Sequence, residues 1–306
     1  MSGKVRYLSI DGKIVPYEQG AIHVLTPTVK YGAAVFESIR GYWNLAQQQM
    51  YLFRLDDHLR RLQYGMQMMR FEHIFSLDTM RSAIVELIKA NELRAPVYIR
   101  MFAYLAGDGE LTATGPSGLA ISATPRSGGA KASGIHVGVS SWRRIADAAM
   151  PARVKCISNY QNSRLAAIEA KTNGYDDALL LNDRGRVAEG QTAAFFFVRR
   201  GVPATPAITE DILESITRDT ILKLLRDDFG HAAQERPIDR SELYDADEAL
   251  FCATGPEIVP ILSIDRHRVG DGTPGALTRQ LIARYAAVVS GSVPDFATWR
   301  TPVFSE

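Results

Sequence analysis

Apolar residues recur along the chain with two spacings, and the switches between them mark the elements. Over residues 7–16 two short apolar runs flank Asp11-Gly12, a dipeptide suited to tight hairpin turns, so two antiparallel strands are expected. Residues 56–70 carry Leu59, Leu62, Met66 and Met69 at helical spacing, with Asp56 near the start. Residues 76–90 repeat the pattern, with Ser76 as the cap and Met80, Ile84, Leu87 and Ile88 as the apolar face. Two strand-like runs over 97–105 and 119–124 complete a small α+β domain ending near Pro125. Further on, runs at 135–142, 177–181, 194–198, 249–252 and 261–264 read as strands, interleaved with helical patterns at 158–172, 216–228 and 276–288. The expected class is α/β (α+β). A small N-terminal α+β domain over 1–125 is followed by a glycine- and serine-rich interdomain loop over 126–134 and a larger mixed-sheet domain over 135–306.

Composition narrows the functional classes. With 306 residues, 46% hydrophobic and 23% charged, the chain can bury a substantial core. A net charge of +1 gives no electrostatic case for nucleic acid or an anionic membrane surface. The N-terminus leads into no apolar segment, and no apolar run reaches the roughly 18 residues of a membrane helix, so a cytoplasmic protein is expected. Two cysteines, Cys156 and Cys252, fit a reducing compartment. Dinucleotide-binding, P-loop, nucleophile-elbow and H-E-x-x-H motifs are absent. The six histidines show no metal-ligand spacing, which leaves His58 a structural reading, and Gly107-Asp108-Gly109-Glu110 is too short a ligand set to hold calcium.

Candidate chemistry concentrates in residues 151–198. Lys155 precedes Ser158-Asn159-Tyr160, where a capping residue opens a helix expected to bury Leu165 and Ile168, so the lysine is held at an element end. Glu189 follows a turn at Asn182-Asp183-Arg184-Gly185 and precedes the apolar run at 194–198. A carboxylate there is costly to bury unless a cation meets it. A protonated pyridine nitrogen is such a cation, and a lysine that condenses with an aldehyde must shed its proton, which burial and nearby cations favour. Singly, each residue also reads as an ordinary solvated charge.

The order of several motifs resembles a known family. Tyr31-Gly32-Ala33-Ala34-Val35-Phe36-Glu37-Ser38-Ile39-Arg40 is similar to Y-G-x-x-V-F-E-G-I-R, and Phe53-Arg54-Leu55-Asp56-Asp57-His58-Leu59-Arg60-Arg61-Leu62 to F-R-x-x-x-H-x-x-R-L. With the K-x-x-x-N-Y of Lys155 to Tyr160, Val187-Ala188-Glu189-Gly190 and Ile216-Thr217-Arg218-Asp219, these resemble the fold-type IV pyridoxal phosphate enzymes, most closely the branched-chain amino acid aminotransferases.

The resemblance implies a two-domain pyridoxal 5'-phosphate enzyme that moves an amino group between a branched-chain or related amino acid and a 2-oxo acid such as 2-oxoglutarate. Lys155 would carry the cofactor and shuttle the proton, Glu189 would hold the ring nitrogen, Tyr160 the phenolic oxygen, and Leu213 would pack on the ring. Arg61, Ile216, Thr217 and Thr254 would hold the phosphate. Tyr31, Phe36, Tyr98, Arg100, Arg126 and Gly255 would meet the substrate, with Tyr31 and the 103–114 loop reaching a second subunit of a homodimer or larger homo-oligomer. Departures are Arg126-Ser127-Gly128-Gly129 in place of the aromatic pair of P-W-G-A-Y, Ser38 for glycine, and Leu213-Glu214-Ser215 for L-P-G. An (R)-selective amine or D-amino acid transaminase, an aminodeoxychorismate lyase and a non-catalytic binding protein remain alternatives on the same scaffold.

Overall fold

The computed structural model describes residues 5–126 and 132–304. Two compact units result, one built from 1–128, 154–158 and 287–306, the other from 129–153 and 159–286. Most of the expected interdomain loop, residues 127–131, lies outside the described residues. Residues 154–158 and 287–306 pack with the first unit, although both follow the expected cut at 135. Backbone pairing is the reason: Cys156 bridges Val35, and the last strand pairs with a strand near residue 50.

In the first unit the elements are β1 (Tyr7–Ile10), β2 (Lys13–Pro16), α1 (Pro27–Tyr31), β3 (Ala34–Asn44), β4 (Gln49–Phe53), α2 (Leu55–Met68), α3 (Leu77–Ala90), β5 (Val97–Leu105) and β6 (Ser117–Pro125). The second unit follows with β7 (Ile135–Arg143), α4 (Tyr160–Thr172), β8 (Asp177–Leu181), β9 (Val187–Gly190), β10 (Ala194–Arg199), β11 (Val202–Pro206), α5 (Ile216–Asp227), β12 (Gln234–Arg236), β13 (Glu248–Ala253), β14 (Glu257–Ile264) and β15 (His267–Arg268). Helix α6 (Ala276–Ser290) and β16 (Arg300–Pro302) end the chain.

The first sheet runs β16-β4-β3-β5-β6-β1-β2, antiparallel throughout. Successive side chains on a strand alternate between faces, and residues directly opposite across a ladder share one. Val35, Glu37 and Ile39 of β3 therefore share a face with Val97, Ile99 and Met101 of β5, under α2. Gly65 of α2 lets the helix approach, since an added Cβ would stand 3.3 Å from the Val35 Cγ1. The opposite face carries Phe36, Ser38 and Arg40 of β3, then Tyr98, Arg100 and Phe102 of β5, then Ser122 and Thr124 of β6.

The second sheet runs β12-β11-β10-β13-β14-β7-β8-β9, with β15 added on β14. Pairs β14–β7, β7–β8 and β11–β12 are parallel and the rest antiparallel, so the mixed sheet expected from the sequence is present. Phe195, Phe197 and Phe251 are central to its core. Helix α4 connects the parallel strands β7 and β8, and here the expected apolar face is wrong. Leu165 and Ile168 are exposed, while Ser163, Ala166 and Ala170 are buried. Ala166 and Ala170 sit against Ala178 and Leu180 of β8. Small side chains bring the helix close to the sheet, and that close approach outweighs the area two large residues would bury. Nor does a side chain cap this helix: Asn159, at its N-cap, gives its amide to the Pro151 carbonyl at 3.2 Å.

Candidate active site

The candidate residues fall in both units, and each set is described within its own unit. In the first, Lys155 is half-buried next to Cys156, the residue that bridges β3. Its carbonyl accepts the Phe36 amide at 2.9 Å, and its Nζ lies 4.8 Å from the centroid of the Phe36 ring. The lysine is thus fixed by β3, a strand that hydrophobic periodicity does not reveal. Its two faces mix polar and apolar residues, so no two-residue period marks it.

Arg100 shares the Phe36 ring. Its guanidinium carbon lies 5.1 Å from that centroid and 5.4 Å from the Tyr98 ring, which Arg126 approaches to 5.1 Å. Three cations, Lys155, Arg100 and Arg126, thus stand on two aromatic rings, an arrangement that attracts anions and shields the cations' apolar stems. Among the described residues no carboxylate pairs with Arg100 or Arg126. Arg126 itself is exposed. Tyr31 is also exposed, at the end of α1, and Leu111 in the following β5–β6 loop is 74% exposed. The residues 103–105 of the expected loop belong instead to β5, whose last amide, Leu105, is held by Thr28 Oγ1 at 3.0 Å.

Arg61 is turned toward Glu37. Its Nε and one terminal nitrogen donate to the two Glu37 oxygens at 2.6 and 2.9 Å, and His58 Nδ1 lies 2.8 Å from the same carboxylate. His58 and Arg61 are three apart on α2 and so point the same way. Burial alone would raise the Glu37 carboxyl, yet the Arg61 guanidinium and the His58 ring hold it well below the usual carboxylate range. Burial pushes His58 below its ordinary value, against the pull of Glu37. With its folded value depressed, Glu37 contributes stability that is complete above the ordinary carboxylate range and lost only as pH falls toward strong acid. The motifs contain Glu37 and His58, but only the tertiary structure shows that they orient Arg61.

In the second unit Glu189 lies inside β9 and is buried, rather than at the mouth of the next strand. The cation that meets it within the protein is Arg144, whose Nε donates to Oε1 at 2.7 Å; the Leu213 amide donates to Oε2 at 3.2 Å. The sequence does not single out Arg144, because nothing local separates it from its neighbour Arg143. A second nitrogen of Arg144 is buried without a partner among the described residues. A side-chain carboxyl held by two donors keeps further lone pairs for a third, so Glu189 is an oriented acceptor with capacity left.

The start of α5 suits an anion. Its first amides, Ile216 and Thr217, precede any intrahelical acceptor, and both residues are buried. Ser215, where the resembled family has glycine, caps the helix by accepting the Arg218 amide at 3.2 Å. Thr254 and Gly255 form the turn between β13 and β14, both half-buried, and Tyr160 begins α4. These groups fit pyridoxal phosphate chemically: an amine, an oriented acid for a ring nitrogen, and amides at a helix start for a phosphate. Cys156 and Cys252 are free and buried, and burial pushes the Cys252 thiol up to about 12, which removes it from nucleophilic chemistry.

Comparison with known proteins agrees. Residues 34–264 match the model of the amino-transferase class IV family. A probable branched-chain-amino-acid aminotransferase of Aquifex aeolicus (strain VF5) is 38% identical, over 97% of this chain and 96% of its own length. The crystal structure of a branched-chain amino acid aminotransferase from Thermobaculum terrenum, in its PLP form, superposes with a TM-score of 0.92 at 44% identity, covering 98% of this chain and 99% of that one. The branched-chain aminotransferase of the thermophilic archaeon Thermoproteus uzoniensis, crystallised with norvaline, gives 0.93 at 37%, covering 97% and 99%. The chain belongs to the class IV amino-transferase family, whose members are pyridoxal phosphate-dependent transaminases. No described helix is long and apolar enough to cross a membrane.

Proposed function

We propose that the protein is a branched-chain amino acid aminotransferase, exchanging the amino group of an aliphatic amino acid with a 2-oxo acid such as 2-oxoglutarate. The observation that carries this reading is Lys155, fixed beside β3 over the Phe36 ring next to a sheet face bearing Tyr98 and Arg100. When bound, pyridoxal phosphate supplies an electron sink for the bond that breaks at the substrate α-carbon. The Lys155 amine would carry the cofactor and would move the proton to and from that carbon as base and then acid. Glu189 would hold the ring nitrogen, Tyr160 would donate to the phenolic oxygen, and Leu213 would pack against the ring. Arg61, the Ile216 and Thr217 amides and the Thr254 hydroxyl are the groups that would hold the phosphate. Tyr98, Arg100 and the Gly255 amide belong to the region that would receive the substrate carboxylate, and Phe36 would wall its side chain. The holoenzyme's visible absorbance should bleach with L-leucine and return with 2-oxoglutarate. Bleaching by D-amino acids or (R)-amines alone would move the assignment to those transaminases, and pyruvate release from aminodeoxychorismate would move it to the lyase.

We also read Tyr31 and the exposed residues around Leu111 as meeting a second copy of the chain, in a homodimer or larger homo-oligomer. Sedimentation at micromolar concentration should show no monomer. A fully active monomer would overturn this.

Arg126 borders the substrate side chain in our reading, where the resembled family places an aromatic wall. A cation there favours a second carboxylate on the substrate. Because Arg126 is exposed and its charge well solvated, the preference should be roughly 1 kcal/mol, or about fivefold. Arg126→Trp should lower the ratio of kcat/KM for L-glutamate to that for L-leucine by about that factor. A ratio that moves by less than about threefold would place Arg126 outside the pocket.

A further inference from the structure

We propose that the Ser38 hydroxyl is the direct hydrogen-bond donor to the substrate carboxylate, with Tyr98 behind it as a positioning residue. The proposal rests on the reading above, that the β3–β5 sheet face receives that carboxylate.

The direction of the hydrogen bonds carries it. Ser38 stands directly opposite Arg100 across the β3–β5 ladder, two residues along from the Arg40–Tyr98 pair and on the same face. A terminal nitrogen of Arg100 donates to the Tyr98 hydroxyl oxygen at 3.1 Å, and the Tyr98 hydroxyl lies 2.8 Å from Ser38 Oγ. A guanidinium can only donate, so the Tyr98 oxygen is the acceptor in the first contact. The tyrosine proton then points to Ser38 Oγ, and Tyr98 has no second proton to offer. Ser38 Oγ accepts that proton and keeps its own, for which no acceptor exists among the described residues. The side chain is buried, with 8% of the residue exposed. An unpaired donor so well buried is costly unless a ligand completes it.

The chain Arg100, Tyr98, Ser38 therefore passes polarisation from a cation to one outward proton, and each donated bond strengthens the next. With glycine at position 38, as in the motif resembled, nothing would receive the tyrosine proton, and Tyr98 itself would face the carboxylate. Serine moves the donor one link outward, shortening the space for the bound amino acid.

The test uses holoenzyme and calorimetric affinity for 4-methylpentanoate, an unreactive carboxylate with a leucine-like chain, against 4-methylpentan-1-ol as the uncharged control. Ser38→Ala should weaken the carboxylate about tenfold and leave the alcohol unchanged. Tyr98→Phe should cost less than about threefold in the wild-type background, because Ser38 keeps its proton, but about tenfold or more in Ser38→Gly, where Tyr98 becomes the donor. KM for L-leucine should rise in parallel with the loss of carboxylate affinity. Unchanged carboxylate affinity in Ser38→Ala, equal losses for carboxylate and alcohol, or a Tyr98→Phe penalty that is the same in both backgrounds would each overturn the proposal. The aminotransferase reading fails separately, if wild-type holoenzyme does not bleach with L-leucine.

Discussion

Lys155→Ala should lose transamination by more than about a thousandfold while retaining its fold, because no other group in a protein replaces a primary amine that must both carry the cofactor and relay the proton. The fold should survive because the side chain contributes little to it. The lysine makes a cation–π interaction with Phe36, worth about 0.5–1 kcal/mol, whereas the bond from the Phe36 amide to the residue 155 carbonyl is made by the backbone and stays. Circular dichroism should be unchanged, and borohydride reduction followed by peptide mapping should label Lys155 in the wild type and no lysine in the variant. Cofactor trapped on another lysine would refute the assignment.

Glu189→Gln should lower turnover by at least about a hundredfold, roughly 2.7 kcal/mol, with little change in folding. The structure makes the reason specific. Each Glu189 oxygen accepts a donor, Arg144 Nε on one and the Leu213 amide on the other. An amide side chain has one accepting oxygen, so one of these donors would face an NH2 group, and no charge would remain to keep a ring nitrogen protonated. Two readouts separate the effects: kcat reports the protonation, and cofactor affinity reports the geometry. Near-normal rates in this variant would mean that another acid holds the nitrogen.

The sequence by itself determined most of the elements and the central candidates. The Asp11-Gly12 hairpin, the helix capped by Ser76 and the strands at 97–105 and 135–142 are present, because hairpin turns, caps and periodicity act over a few residues. Motif order alone singled out Lys155, Glu189 and Arg61. Tertiary structure decided the rest, wherever a residue's role depends on partners remote in sequence. Strand β3 was illegible because Glu37, on its helix-facing side, is made tolerable by His58 and Arg61, 21 and 24 residues away. Arg144 became the partner of Glu189 across 45 residues. On α4 the sequence favoured Leu165 and Ile168 as the buried face, but the closeness of β8 selected alanines. Ser38 showed in the sequence only as a departure from glycine, and it took the register of β3 on β5 to place its oxygen before Tyr98. Local backbone preferences can be read from neighbouring residues, whereas burial, charge pairing and the direction of a hydrogen bond depend on what the fold brings close.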